Sequence, residues 1–432
     1  MITTKYVRDN FDAIKKSLEK RKSDFPIDEL KEYDEKSRKL MVQVQKLRSD
    51  RNKGSEAVSN AKKQGKEPSK EELEKLASTK EQIDELESQL EQYQKKIESL
   101  LWNLPNVLHE SVPYGKDSSD NVEVRKWGTI KTQTTKNHVD VLGKLGLVDL
   151  DQASKVSGAR FYYLKGDIAL LEQSLIRFAI DELTGKGYTL IAPPLMLKRE
   201  YYRGVTTMGD FEEMLYKVAE PGEAKEKADY EHVNDELFMI ATSEHPLAAM
   251  YAGKVLSAKE LPKKFVGVSP CFRREAGAHG KDTKGIFRVH QFYKVEQFVF
   301  SRQEDSWDIL EEIVKNSEML NQKLGLPYRV VNICTGDIGS VAAKKYDIEA
   351  YMPSQGQYRE VVSCSNCTDW QSLRLDIKYD EGNERKYVHT LNGTAIATTR
   401  TMVAIIENYA NDDGTITVPD VLVPYMHKNK IG

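Results

Sequence analysis

Four cysteines in 432 residues are too few for a disulfide framework and point to a reducing compartment. No stretch approaches the roughly 20 consecutive apolar residues needed to cross a bilayer. The opening MITTKYVRDNFDAIKKS is amphipathic and mixed in charge, without the apolar centre of a secretion signal. A cytoplasmic location with no membrane partner is the expectation. An excess of one charge is missing too, since the formal net charge is -3. Global charge therefore does not mark a nucleic-acid binder, and any RNA contact must rest on local basic patches. What remains is enough chain for two or three domains and at least one large core.

Cys364 and Cys367 form a CxxC, which invites a zinc or redox reading. Zinc would need two further ligands at matching spacing, whereas Cys271 and Cys334 stand alone in β-like runs. A redox dithiol wants a low-pKa cysteine at a helix start, and nothing argues for one. Core cysteines, and no zinc, are the expectation.

The stretch from Phe265 to Phe300 is the most informative part of the chain. Two β-rich runs, around Phe265, Val266 and Val268 and around Val289 to Val299, flank a connection with Gly277, Gly280 and Gly285 among Arg and Lys. Arg273, Glu275, Arg288, His290 and Glu296 sit in these otherwise apolar runs. Charged groups are seldom placed so unless paired or bound to something, although half of each strand could simply be wet.

Leu76, Thr79, Ile83, Leu86, Leu90, Tyr93, Ile97 and Leu100 follow steps of three and four, a heptad seam. Leu40, Val44, Leu47, Val58 and Ala61 keep the same register upstream, with Arg51 and Gly54 interrupting it. Between the runs, Gln64-Gly65-Lys66-Glu67-Pro68-Ser69 breaks the helix and turns the chain. Two helices of about 30 residues each, from about residue 34 to 101, would make an antiparallel hairpin roughly 45 Å long. A dimerising coiled coil is the bland alternative. Against it, the seam can be satisfied within one chain, and Arg48, Arg51, Lys53, Lys62, Lys63 and Lys66 cluster distally where phosphates could bind.

The segment Phe265 to Phe300 resembles motif 2 of the class II aminoacyl-tRNA synthetases, and the seryl-tRNA synthetases in particular. The resemblance spans nearly the whole chain: Asn106 to Gly128, Gly158 to Tyr162, Thr242 to Glu244 (TSE), Ser363 to Asp369 and Leu391 to Tyr409 match that family in order. It implies an α+β fold, with an antiparallel-sheet catalytic domain flanked by helices (111–432) and an N-terminal tRNA-binding domain carrying the coiled-coil hairpin (1–110). Leu170 to Leu183 reads as a helix ended by Gly185 and Gly187, and Tyr188 to Ala192 as a strand before Pro193-Pro194. Together they resemble motif 1, which implies a homodimer. In motif 3, Tyr387 to Leu391 reads as a strand. Asn392-Gly393-Thr394 then turns into a helix that buries Met402, Val403, Ile405 and Ile406, with Arg400 one and a half turns in.

The resemblance further implies ATP with Mg²⁺ and L-serine as substrates. Arg273 would bridge the α-phosphate and the serine carboxylate, and Arg400 would hold the γ-phosphate. Glu275, the backbone at Val289 and the ring of Phe292 would take the adenine, with Arg274, Val361 and Val362 in the same ATP site. Glu360 and Ser363 would hold Mg²⁺. Serine would be selected by Thr242, Ser243, Glu244, Arg273, Glu296, Asn392 and Thr394. The hairpin would grip tRNA(Ser) and, where one exists, tRNA(Sec). Departures from the usual pattern are Ser243 in TSE rather than TAE, and Thr394 and Thr399 where many bacterial members have Ser and Gly. His245, His279, His290 and His389 lie in no hydrolase context and read as ordinary hydrogen-bonding residues. Residues 217–235, charged and without apolar period, read as a tolerated insertion or as a flap. Alternatives are a threonyl- or prolyl-type synthetase, which usually carries a further C-terminal domain, a paralogue that no longer charges tRNA, and a plain coiled-coil scaffold.

Overall fold

The structure, a computed structural model, describes residues 3–65, 67–130, 136–219, 236–276, 284–382 and 384–432. Lys66, Gly277, Gly280, His279 and most of the 217–235 segment thus lie outside the described residues. The chain divides after Pro105 into two compact units.

In the first unit, short helices α1 (Thr4–Asp9) and α2 (Phe11–Arg21) precede two long ones, α3 (Ile27–Lys63) and α4 (Lys70–Asn103). The long pair is longer than the periodicity alone suggested, about 50–55 Å at 1.5 Å per residue. Val44, Ile83 and Ile97 are buried in the seam. Arg51 and Gly54 do not interrupt it. They occupy seam positions, and a Cβ on Gly54 would sit 3.0 Å from Leu76 Cδ2, so the glycine makes room for the leucine opposite. Gly65, with φ +75°, begins the turn. Ser69 then caps α4 through a reciprocal capping box with Glu72. Arg48 pairs with Glu87 across the seam at 2.7 Å, which removes it from the distal patch, while Lys53, Lys62 and Lys63 are exposed.

The second unit is built on one sheet of eight strands. Its elements in chain order begin with β1 (Val122–Trp127), α5 (Gly166–Thr184), β2 (Thr189–Ile191), α6 (Glu244–Ala249), β3 (Lys263–Phe272) and β4 (Gln291–Ser301). There follow α7 (Ser306–Lys323), β5 (Tyr328–Asn332), β6 (Lys344–Met352), β7 (Gln357–Asn366), α8 (Trp370–Leu375), β8 (His389–Ala397) and α9 (Thr398–Tyr409). The strand order is β1-β5-β6-β7-β8-β4-β3-β2, antiparallel except where β2 joins β3. Lys217–Val218, at the start of the segment read as an insertion or flap, form a short strand paired with Leu237–Met239.

Strand alternation decides what each side of the sheet does. On β4, Val295 and Val299 enter the main core with Leu171, Leu175 and Phe178 of α5, Ile313 of α7 and Met402 and Ile405 of α9. Phe298 and Phe300 enter a second core with Tyr202, Phe238 and Tyr379. Lys294 and Glu296 share that second side, where the sheet opens into a cavity. Of the five charged residues expected within strands, only Glu296 lies in one. Arg273 and Glu275 follow β3, and Arg288 and His290 precede β4.

Motif 3 differs from expectation as well. Asn392-Gly393-Thr394 does not turn; it continues β8, and the helix starts at Thr398, so Arg400 is its third residue. Gly393 is required because α7 crosses the strand there. A Cβ would meet Ile313 Cγ2 at 2.2 Å and Cys364 Sγ at 3.0 Å. Gly393→Ala is therefore expected to destabilise the protein by about 1–3 kcal/mol, read as a lower denaturant midpoint at unchanged slope. All four cysteines are free and buried.

Candidate active site

A cavity of about 430 Å³ opens on the sheet, and most of the expected site residues line it: Thr242, Glu244, Arg273, Phe292, Glu296, Glu360, Val361, Ser363, Asn392, Thr394 and Arg400. They arrive from six places in the chain: the start of α6, the end of β3, the middle of β4, β7, β8 and the first turn of α9. On β7 a bulge makes Val361 the extra residue, since Glu349 faces Glu360 while Ile348 faces Val362. That explains why 360, 361 and 363 reach the cavity and Val362 does not.

One region of the cavity is cationic. Arg273 donates from Nε to the Ala241 carbonyl at 3.2 Å, and its guanidinium lies 5.3 Å from the Phe292 ring centroid. Its backbone is tied twice to His290, through Arg273 N–H to the His290 carbonyl at 2.9 Å and His290 Nδ1 to the Arg273 carbonyl at 2.8 Å. Arg400 Nη1 donates to both the carbonyl and the carboxylate of Glu360 at 3.1 Å, and its guanidinium lies 5.4 Å from the Phe287 ring. Burial would raise the Glu360 carboxyl, but Arg400, Lys345 and Arg273 outweigh it and hold it below the usual carboxylate range.

The other region is acidic. Burial, with Glu296 as a second cause, raises the Glu244 carboxyl to about 7. Gln371 Nε2 on α8 donates to Glu244 Oε1 at 3.1 Å and to the Val205 carbonyl at 3.1 Å. Glu296, also raised by burial, accepts from Lys294 Nζ at 2.6 Å and from Thr394 Oγ1 at 3.3 Å. Thr242 Oγ1 accepts the Glu244 N–H at 3.1 Å, fixing the start of α6.

Five expected site residues lie elsewhere. Ser243 is fully buried, with its hydroxyl on the Gly267 carbonyl at 3.4 Å, so TSE adds no hydroxyl to the cavity. The side chains of Val289 and Val362 belong to the main core, although the role expected of Val289 is one for its backbone. Glu275 has φ +50° and faces Arg288 at 3.7 Å. Arg274 lines a separate hollow with Glu212, Tyr216 and Phe238. Sequence reasoning missed Lys294, Lys345, Gln371 and Phe287. Only Lys294 carried a local signal, standing two residues before Glu296 on the same strand face. His245 is buried in the cavity wall against Tyr202 and Phe211, and burial lowers its imidazole to about 3, so it is neutral. No group of three or more His, Cys, Asp or Glu poised for a metal occurs among the described residues.

Residues 1–108 match the seryl-tRNA synthetase N-terminal domain, and residues 224–409 match the class II tRNA synthetase core domain (G, H, P, S and T). The serine–tRNA ligase of Pyrococcus horikoshii is 47% identical, over 98% of this chain and 96% of its own. The chain belongs to the seryl-tRNA synthetases. Among solved members of this family, the Pyrococcus horikoshii synthetase complexed with ATP matches with a TM-score of 0.89 at 47% identity, over 100% of this chain and 99% of that one. The cytoplasmic serine–tRNA ligase of Naegleria fowleri in complex with AMP matches with a TM-score of 0.84 at 36% identity, over 97% and 95%. A seryl-tRNA synthetase has both the helical arm and the sheet-borne cavity, which a coiled-coil scaffold would leave without a use.

Proposed function

We infer that this chain is a serine–tRNA ligase, which joins L-serine to ATP as seryl-adenylate with release of pyrophosphate and passes the seryl group to the 3′ end of tRNA(Ser). The observation that carries this reading is a single cavity lined by two guanidinium groups and by two carboxylates, buried Glu296 and half-buried Glu244, beside hydroxyls. Serine has matching parts: a carboxylate that must meet a phosphate, an ammonium and a hydroxyl.

In the activation step an oxygen of the serine carboxylate attacks the α-phosphorus of ATP, and the bond to the pyrophosphate oxygen breaks. The two reactants are anions that repel. Arg273, anchored at Ala241 and His290, lies between them as a fixed planar donor and stabilises the charge that builds at phosphorus. Arg400 binds the departing phosphates from the first turn of α9. Phe292 offers its ring to the adenine. Glu244 and Glu296 take the ammonium, and Thr394 and Asn392 read the hydroxyl, so alanine would leave buried polar groups unpaired. Glu360, held ionised, and Ser363 present hard oxygens three residues apart on β7, a set that fits Mg²⁺. Bound there, Mg²⁺ would neutralise charge on the triphosphate. No side-chain nucleophile is needed, because the attacking atom belongs to the substrate.

We place tRNA(Ser), and tRNA(Sec) where one exists, on the arm through exposed Lys53, Lys62 and Lys63, with residues 1–110 as the RNA-binding domain and 111–432 as the catalytic domain. A homodimer through motif 1 accords with Leu190, Leu195 and Met196, exposed around Pro193-Pro194. A cytosolic location accords with the absence, among the described residues, of any helix long and apolar enough to cross a membrane.

ATP–pyrophosphate exchange with a panel of amino acids tests the assignment. Exchange with serine alone is expected; exchange with threonine or proline instead, or with none, would overturn it. Glu296→Ala is expected to lower kcat/KM for serine by about a hundredfold or more while ATP affinity changes less than about threefold. Equal losses on both substrates would move Glu296 out of the serine pocket.

A further inference from the structure

Lys294 is buried, and its ammonium lies in the wall of the same cavity, 2.6 Å from Glu296 Oε2. A lysine is seldom buried without a task, because desolvating its ammonium is costly. We propose that Lys294 is a positioning residue for serine: it orients Glu296 and balances one of two pocket carboxylates, so that the other is left for the substrate ammonium. This deepens the reading of the cavity as a serine site and rests on it.

The geometry leaves little choice of role. Lys294 and Glu296 alternate onto one face of β4, and β8 supplies Thr394 opposite Glu296. A 2.6 Å ion pair on Oε2, shared with the Thr394 hydroxyl at 3.3 Å, fixes that oxygen and leaves Oε1 free to turn to a ligand. Without Lys294 the pocket would hold two carboxylates, and one would take up a proton rather than stay charged beside the other. With it, the pocket carries one uncompensated negative charge, which an α-ammonium neutralises. A substrate that lacks the ammonium would leave that charge unbalanced.

Groups facing this pair come from several elements: Glu244 and His245 on α6, Cys271 on β3, Arg273 after it and Cys364 on β7. His245 is neutral, burial raises both thiols, and Arg273 is spoken for by the carboxylate of serine. Lys294 stabilises the ionised form of both Glu244 and Glu296 from inside the acidic region, ahead of Arg273, which acts on both in the same direction. Removing it pushes both carboxyls further up, so the acid limb of serine binding must move to higher pH.

The test uses the full-length enzyme in pyrophosphate exchange, with KM for serine and for ATP followed from pH 5.5 to 8.5. Lys294→Met is expected to raise KM for serine between about tenfold and a hundredfold, to leave KM for ATP within about twofold, and to move the acid limb up by about one pH unit. Lys294→Arg, which keeps the charge, should recover part of the serine affinity and the original acid limb. In a Glu296→Gln background, Lys294→Met should add less than about threefold, because its effect passes through Glu296. Calorimetric ATP binding by each variant reports an intact cavity, so a misfolded Lys294→Met is recognised and Lys294→Arg with the cycle still decides. Serine exchange by the wild type with an unchanged serine KM and acid limb in Lys294→Met would overturn the proposal alone. Absence of serine exchange in the wild type would overturn the reading of the site beneath it.

Discussion

Arg273→Ala is expected to slow seryl-adenylate formation by about a thousandfold, the largest loss from any single substitution in the cavity. Arg273 is the guanidinium placed to meet both reacting anions: its Nε is spent on the Ala241 carbonyl, its guanidinium lies 5.3 Å from the Phe292 ring centroid, and it lines the cavity. Its bonds to Ala241 and His290 hold it in place, which lowers the cost of orienting it toward the reactants. Single-turnover quenched-flow with labelled ATP reads the step directly. Arg273→Lys should recover little, because an ammonium cannot bridge two anions as a planar fork does. A loss below about tenfold would mean that the carboxylate and α-phosphate meet without Arg273.

Excision of residues 49–86 is expected to abolish transfer of serine to tRNA, by at least about a hundredfold, while serine-dependent pyrophosphate exchange stays within about twofold. Arg48 and Glu87, paired at 2.7 Å across the two helices, mark a level at which a short turn can rejoin the chain. The shortened hairpin keeps the buried Val44 and Ile97 and the Tyr33–Tyr93 ring contact at 5.8 Å, so the stump retains its own seam. What it loses is the exposed lysine surface at Lys53, Lys62 and Lys63. A filter assay with radiolabelled serine and tRNA(Ser), run beside the exchange assay, separates the two activities. Loss of both together would refute the division of labour between arm and cavity. Undiminished transfer would refute an RNA role for the arm.

The arm was legible in the sequence because a heptad is a local pattern and its partner lies only a turn away along the chain. Even there Arg51 and Gly54 were misread as interruptions, since their fitness depends on what the opposite helix presents, in this case Leu76. The catalytic strands were legible for the same local reason, and so were the charged residues that stand out in apolar runs. Motif 3 failed where a glycine's meaning depends on a distant neighbour. Gly393 reads as a turn beside Asn392, yet it is an interior strand position shaved to let α7 pass. Arg274 and Ser243 do not line the cavity for a similar reason, because one residue of phase on a strand end or helix start decides which side a side chain takes.

By itself the sequence determined the two long helices and their turn, the strand pair from Phe265 to Phe300, and Arg273 and Glu296 as residues needing an explanation, while the family resemblance added Glu244, Glu360 and Arg400. Only the tertiary structure decided that these five share one cavity, that Glu244 is held by Gln371 from α8, and that Lys294 closes on Glu296. Periodicity is set by bonds between near neighbours and survives in one dimension. The charge state of a buried carboxylate is set by burial and by cations and donors brought to it by strand register and helix packing, often from far along the chain.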